Sequence, residues 1–313
     1  MSKMPDFSRG LYLTDGGIET SLIFQDGFEL PEFAAFDLLR TQDGREGLAR
    51  YFRRYLDVAA KCEAGFILES PTWRASPDWG AVLGYSEQAL EAANKAAIEL
   101  MQDLRQEYQG RIDSVLISGC IGPRWDGYDP GTVMSPEEAE QYHAFQTRIF
   151  AEAGADMITG ITMTNIPEAV GLTRAAAKSG LPCVISWTVE TDGNLPTGET
   201  LAEAIAALDA EAARPLHFMI NCAHPTHFQA RLAEGGDWVS RIRGVRTNAS
   251  CLSHAELDEA EELDDGNPSE LGRQNADLRN ILPDLTVFGG CCGTDERHIR
   301  EIAQAISMQS EPA

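Results

Sequence analysis

Val287-Phe288-Gly289-Gly290-Cys291-Cys292-Gly293-Thr294 is the stretch on which the reading of this chain turns. Two apolar residues run into paired glycines, two adjacent cysteines and a third glycine. Thr294-Asp295-Glu296-Arg297-His298-Ile299 then opens a helix with acidic residues in its first turn. The pattern is a strand that ends in a tight loop with thiols at its tip. Glycine on both sides of Cys291-Cys292 permits backbone conformations closed to other residues and leaves room beside the sulfurs for a metal or a substrate. The competing reading is a pair of buried cysteines packed as small hydrophobes.

Working outward, the same period recurs. Leu11–Gly17 reads as a short strand ending in Asp15-Gly16-Gly17, Phe66–Thr72 as a second, Ser114–Cys120 as a third and Asp156–Ile161 as a fourth. Cys183–Trp187, Leu216–Cys222, Gly244–Asn248 and Leu285–Gly290 follow as the fifth to eighth. Helical segments separate most of them. One runs from about Gly44 to Cys62, with Asp43 as its cap and Leu48, Tyr51, Phe52, Tyr55, Leu56 and Ala59 at helical spacing. Others span Ser86–Tyr108, a capping-box start at Ser135-Pro136-Glu137-Glu138 through Ala153, Pro167–Lys178 and Glu199–Ala212. The acidic stretch Glu256–Gly272 is poorly patterned and reads as a solvated excursion. Eight strands alternating with helices imply parallel pairing through right-handed crossovers, and the common closed solution is a (β/α)₈ TIM barrel. Such barrels place their chemistry at the C-terminal strand ends, which here carry Asp15, Glu69, Cys120, Trp187, Cys222, Cys291 and Cys292.

Composition narrows the partners. The 313 residues are 43% hydrophobic with no linker-like tract, so residues 1–313 read as one barrel domain. A formal net charge of -24, from 25 Lys and Arg against 49 Asp and Glu, argues against nucleic acid and anionic membrane surfaces. No apolar run approaches a spanning helix, and Met1–Asp6 is not followed by a signal-peptide core, so a cytoplasmic location is expected. Seven cysteines without framework spacing fit a reducing compartment. Cys222, Cys291 and Cys292 converging on one barrel mouth fit a Zn²⁺ site with three thiolates and one open position, iron being the alternative that the residues do not separate.

Gly289-Gly290-Cys291-Cys292-Gly293-Thr294, with Asn221-Cys222 upstream and Asp15-Gly16-Gly17 near the start, resembles the zinc-dependent homocysteine S-methyltransferase family. The resemblance runs from about Leu11 to Ile306 and includes Gly84-Tyr85-Ser86 and Asp192–Gly198. It implies that Cys222, Cys291 and Cys292 ligate zinc, and that Asp15 with the Gly16-Gly17 backbone meets the amino-acid part of homocysteine. It further implies a small-molecule thiol acceptor and a methyl donor. A zinc-bound thiol is deprotonated and attacks a methyl group on a sulfonium or quaternary ammonium donor. Trp73, Trp125, Tyr128 and Trp187, at or beyond strand ends, are the aromatic faces expected to meet a cationic donor.

One departure qualifies the acceptor. Many members carry an acidic residue at the end of the fourth strand, whereas Gly160–Asn165 has none. Glu19 and Glu69 are the candidate replacements, and the expectation is weak methylation of homocysteine or preference for a thiol or selenol with a different polar end. A non-catalytic zinc-binding or redox-responsive module is the rival function, and whether the chain forms a homo-oligomer stays open.

Overall fold

The computed structural model describes residues 4, 7, 10–260 and 262–310. Residues 1–3, 5 and 6 and residue 261, on which parts of the leader and excursion readings rest, lie outside the described residues. Eight parallel strands close into a barrel in sequence order: β1 (Tyr12–Leu13), β2 (Gly65–Glu69), β3 (Val115–Ile121), β4 (Met157–Met163), β5 (Cys183–Trp187), β6 (Phe218–Asn221), β7 (Ile242–Thr247) and β8 (Val287–Gly290). β8 pairs back onto β1, Tyr12 opposite Val287 and Leu13 opposite Phe288, so no sheet edge is left exposed. The fold is the expected (β/α)₈ barrel.

After β1 come a helical turn α1 (Ile18–Thr20) and the long α2 (Gln42–Lys61), followed beyond β2 by α3 (Pro77–Val82) and α4 (Glu87–Glu107). α5 (Pro136–Ala153), α6 (Ile166–Lys178), α7 (Leu201–Asp209) and α8 (Pro225–Ala233) separate the next strands, and α9 (His254–Asp258), α10 (Pro268–Leu278) and α11 (Glu296–Ser310) complete the ring. The stripe from Leu48 to Ala59 on α2 is buried as its spacing requires. Its cap is Thr41, whose side chain accepts from Gly44 N, rather than Asp43, which lies inside the first turn. The capping box of Ser135 with Glu138 forms as expected.

The stretch from Glu256 to Gly272 is not simply solvated. Ser253 and Glu256 form a capping box that starts α9, and Asn267 caps α10. Exposed acidic side chains obscured the apolar stripe of Leu271, Ala276 and Leu278 that α10 buries. The main core lies between strands and helices. A second cluster of Phe7, Tyr12, Ile67, Leu116, Met157, Val184, Met219 and Val287 fills the lower half of the barrel interior.

Candidate active site

The upper end of the barrel carries a cavity lined by residues from seven strand tips or the loops just beyond them. β8 reaches it through the glycine pair. A β-carbon on Gly289 would stand 1.9 Å from Thr14 Oγ1, so glycine there lets β8 close beside β1, and one on Gly290 would stand 2.0 Å from Thr294 Oγ1, so glycine there lets the turn beyond β8 fold back on it. The turn beyond is knitted to its neighbours: Gly290 N donates to Asp15 O at 2.9 Å, Cys291 N to Thr247 O at 2.9 Å, and Ala249 N to Cys292 O at 3.1 Å.

Cys222 follows β6 with φ of 56°, an uncommon conformation for a residue with a β-carbon. Its N–H donates to Arg246 O at 3.1 Å, and its carbonyl meets His254 Nε2 at 2.7 Å. That geometry turns its sulfur toward the β8 loop. The sulfurs of Cys222, Cys291 and Cys292 all lie within 4.8 Å of one another, and Cys222 Sγ and Cys292 Sγ are 3.6 Å apart. Four ligands at about 2.3 Å in a tetrahedron would sit about 3.8 Å from each other, so the donor set fits a zinc ion. Hydrogen bonds from the Cys222 and Cys292 thiols, aided by the nearby Arg246, hold the Cys291 thiol well below its ordinary pKa, while the same bond pushes Cys222 up.

Asn221, fully buried, braces this corner. Its Oδ1 accepts from Thr162 N at 2.9 Å and Ser186 Oγ at 2.6 Å, and its Nδ2 donates to Thr162 Oγ1 at 2.8 Å and approaches Cys291 Sγ at 3.9 Å. Thr162, at φ 62°, is held by these bonds in a conformation that β-branched residues rarely adopt.

The cavity brings together most of the residues singled out from the sequence. Asp15, Gly16, Gly17, Glu19 and Glu69 line it with the three cysteines, as do Trp73 and Tyr128. Asp15 is already engaged, however. Tyr51 donates its hydroxyl to Asp15 Oδ2 at 2.9 Å, and Arg246 Nη2 stands 2.9 Å from Asp15 Oδ1. Gly17 N donates to Thr294 O at 3.0 Å, so that N–H is committed to the β8 turn. Burial outweighs the nearby Arg246 and pushes Glu69 up to about 7, and burial likewise raises Glu19 to about 7. Glu69 Oε2 is buried without a hydrogen-bond partner.

Two tryptophans fall elsewhere. Trp187 is 0% exposed and stacks on Phe218 at 6.4 Å in the core between strands and helices. Strand alternation sends Ser186 into the barrel and Trp187 out of it. Trp125, 39% exposed, donates its indole N–H to Thr132 O and does not line the cavity.

Tyr128 was one aromatic among several in the sequence; in the fold it roofs the thiols. Its hydroxyl lies 3.3 Å from Cys222 Sγ and 3.5 Å from Cys292 Sγ, and its ring stacks on His254 at 4.0 Å. The loop that carries it is fastened by Arg124 N to Glu168 Oε1, by Arg124 to Asp78, and by Asp126 to Arg74. Arg74 in turn lies over Trp73 and Trp79. Arg246 is a cavity-lining residue that sequence reasoning missed, since nothing local in Gly244–Asn248 marks it as the partner of a carboxylate so far away in the chain.

Comparison with known proteins agrees with this fold. A family profile described as Homocysteine S-methyltransferase matches residues 12–306. Homocysteine S-methyltransferase 4 of Zea mays is 23% identical over 272 residues, covering 80% of this chain and 77% of its own. Selenocysteine Se-methyltransferase of Brassica oleracea var. italica is 23% identical over 280 residues, with the same shares of 80% and 77%. Among solved structures, the metallated form of the homocysteine methyltransferase MmuM from Escherichia coli superposes with a TM-score of 0.73 at 20% identity, covering 96% of this chain and 97% of that one. At this identity the superposition establishes a shared fold.

Proposed function

The chain belongs to the homocysteine S-methyltransferase family, and from that premise we propose that it is a zinc-dependent enzyme carrying a methyl group from a sulfonium or quaternary ammonium donor to a thiol or selenol. The observation that carries the proposal is the convergence of Cys222, Cys291 and Cys292, from strands six and eight, at the mouth of one cavity. Zinc held by these three sulfurs would take the acceptor's sulfur or selenium in its open position and keep it deprotonated and nucleophilic.

The residues of the chain supply position and charge. The glycine-closed seam between β1 and β8 fixes Cys291 and Cys292, while Asn221 and His254 fix the β6 turn that presents Cys222. A cationic donor is met by the faces of Trp73 and Tyr128 and by the carboxyl groups of Glu19 and Glu69, which ionise readily beside a positive charge. The acceptor's sulfur then attacks the methyl carbon in line, the new S–C bond forming as the donor's C–S or C–N bond breaks and its electron pair leaves with the donor heteroatom. Holding both reactants in the one cavity keeps them in line.

A screen that crosses several thiols and one selenol with betaine, S-methylmethionine and S-adenosylmethionine tests the reading. Methyl transfer by the zinc-loaded chain alone supports it. Absence of transfer in every pair, with zinc bound, would leave the non-catalytic binding module as the better account.

A further inference from the structure

We infer that Glu168, which does not line the cavity, positions the roof over the thiols: it anchors the loop between β3 and α5, and through that loop holds Tyr128 above Cys222 and Cys292. The inference rests on the methyl-transfer reading above and names a residue that this reading leaves unused.

Three observations lead to it. First, the roof hangs on a loop with no helix or strand of its own. Residues 122–134 run from the end of β3 to Ser135, the cap of α5, and Asp126, Gly127 and Tyr128 among them line the cavity. Its internal bonds are short-range: Tyr128 N donates to Asp126 Oδ1 at 2.9 Å, Gly131 N to Asp129 Oδ1 at 2.9 Å and Trp125 Nε1 to Thr132 O at 3.1 Å. They shape the loop without tying it to the barrel.

Second, the bonds that do tie it differ in strength. Gly122 N donates to Trp73 O at 3.1 Å, at the very start of the loop. The pairs of Arg124 with Asp78 and of Arg74 with Asp126 lie at the rim, each carboxylate partly in solvent, where an ion pair contributes little. Glu168 is instead buried on the first turn of α6, and its Oε1 accepts from Arg124 N at 2.6 Å. His143 Nε2, on α5, lies 3.0 Å from the same oxygen, and Asn165 Nδ2 donates to Oε2 at 3.2 Å. Burial works to raise this carboxyl, but contacts with His143, Arg124 N and Asn165 hold it below its usual pKa, so it carries charge. A hydrogen bond to a buried charge outweighs the pairs at the rim.

Third, stability alone does not ask for a carboxylate there. Asn165 already caps α6 by accepting from Glu168 N at 3.0 Å, and replacing a buried charge by an apolar side chain of like size is often neutral or stabilising. What the carboxylate adds is a fixed place for Arg124 N, from which the chain leads to Tyr128.

The test follows zinc loss from the loaded protein into excess EDTA, together with the donor KM for the pair that transfers best. Glu168→Leu is expected to speed zinc loss about 10-fold and to raise the donor KM by a similar factor, the loss of one charged hydrogen bond, with kcat within a few-fold of wild type. Tyr128→Ala should reproduce both changes. In the double variant, zinc loss and KM should be no worse than in Tyr128→Ala alone, because Glu168 acts through a roof already removed. Glu168→Gln, which keeps an accepting oxygen without the charge, should fall between wild type and Glu168→Leu. Should Glu168→Leu fail to fold, Glu168→Gln and its double variant with Tyr128→Ala decide by the same comparison. A general loosening of the barrel would multiply with the loss of Tyr128. Effects that multiply in the double variant, or a Glu168→Leu protein that loses zinc no faster than wild type, therefore overturn the inference. Absence of transfer in every pair overturns only the reading beneath it, since zinc loss still decides the roof. A wild-type chain that binds no zinc overturns both.

Discussion

The lower and upper halves of the barrel interior are built by the same strands two residues apart. Ile67, Leu116, Met157, Val184 and Met219 belong to the apolar plug below, and Glu69, Ser118, Thr159, Ser186 and Asn221 stand one inward position higher on those five strands. Within that single step the interior changes from hydrocarbon to a hydrogen-bonded layer containing Glu69 and, on β7, Arg246. The lower layer stabilises by burial. The upper layer contributes less to stability, since buried charges and hydroxyls gain little over water even when paired, and it lies beneath the cavity that holds the three thiols.

The comparison is broken most sharply at its upper end. Cys291→Ala or Cys292→Ala should remove zinc and lower methyl transfer at least ~1000-fold, as several kcal/mol of transition-state stabilisation depend on the metal site. Thermal unfolding should be nearly unchanged, because the strands and helices form the core without it. Metal analysis with circular dichroism checks both. Full zinc occupancy in either variant would remove these sulfurs from the ligand set.

At the lower end the outcome should reverse. Met157→Ala, in the plug, should cost about 2–5 kcal/mol in urea unfolding while kcat per folded molecule stays close to wild type. A variant that unfolds no more easily but loses turnover would erase the division between the two layers.

pH sharpens the contrast, because the two layers respond in opposite directions. Glu69 is raised by burial from 4.5 to about 7. Between those values the folded chain holds a proton that the unfolded chain releases, so this contribution to stability is intact below pH 4.5 and is lost as pH rises to about 7. Glu69→Gln should therefore be more stable than wild type at pH 8 by on the order of 2–3 kcal/mol, and about equal at pH 4. Equal stability at both pH values would mean that the carboxyl is not desolvated.

His217 gives the smallest effect. It stacks edge-on against Phe7, and burial pushes it from 6.5 down to about 3. Its contribution is present above pH 6.5 and lost as pH falls toward 3, since the unfolded chain takes up the proton first. Lowering pH from 6.5 to 5.5 should cost wild type about 1 kcal/mol that His217→Asn does not lose. Parallel urea titrations of the two proteins would show otherwise if their slopes coincide.

Much of this was legible because barrel strands announce themselves. Cys183–Trp187 appears with the boundaries its apolar run suggests, and the glycine-flanked cysteines could only end a strand. The alternation of that same strand was harder to read, since a fully apolar run does not say which parity faces inward, and Trp187 was placed on the wrong side. Trp125 failed for a different reason, because a loop residue's neighbours depend on tertiary folding rather than on spacing. Asp15 was visible as a strand-tip carboxylate; its guanidinium partner was not. Long-range charge pairs leave no local pattern, and Arg246 stands in a run that would read the same with any polar residue there.

The seam between β1 and β8 sets an order on how the molecule can come into being. Gly17 and Thr294, bonded across it, are 277 positions apart in the chain. During synthesis, β1 leaves the ribosome with one of its two neighbours far in the future, and two of the three sulfurs follow later still. Cys222 therefore waits for the two sulfurs it meets in the fold, and the three-thiol cluster exists only once the ring has closed.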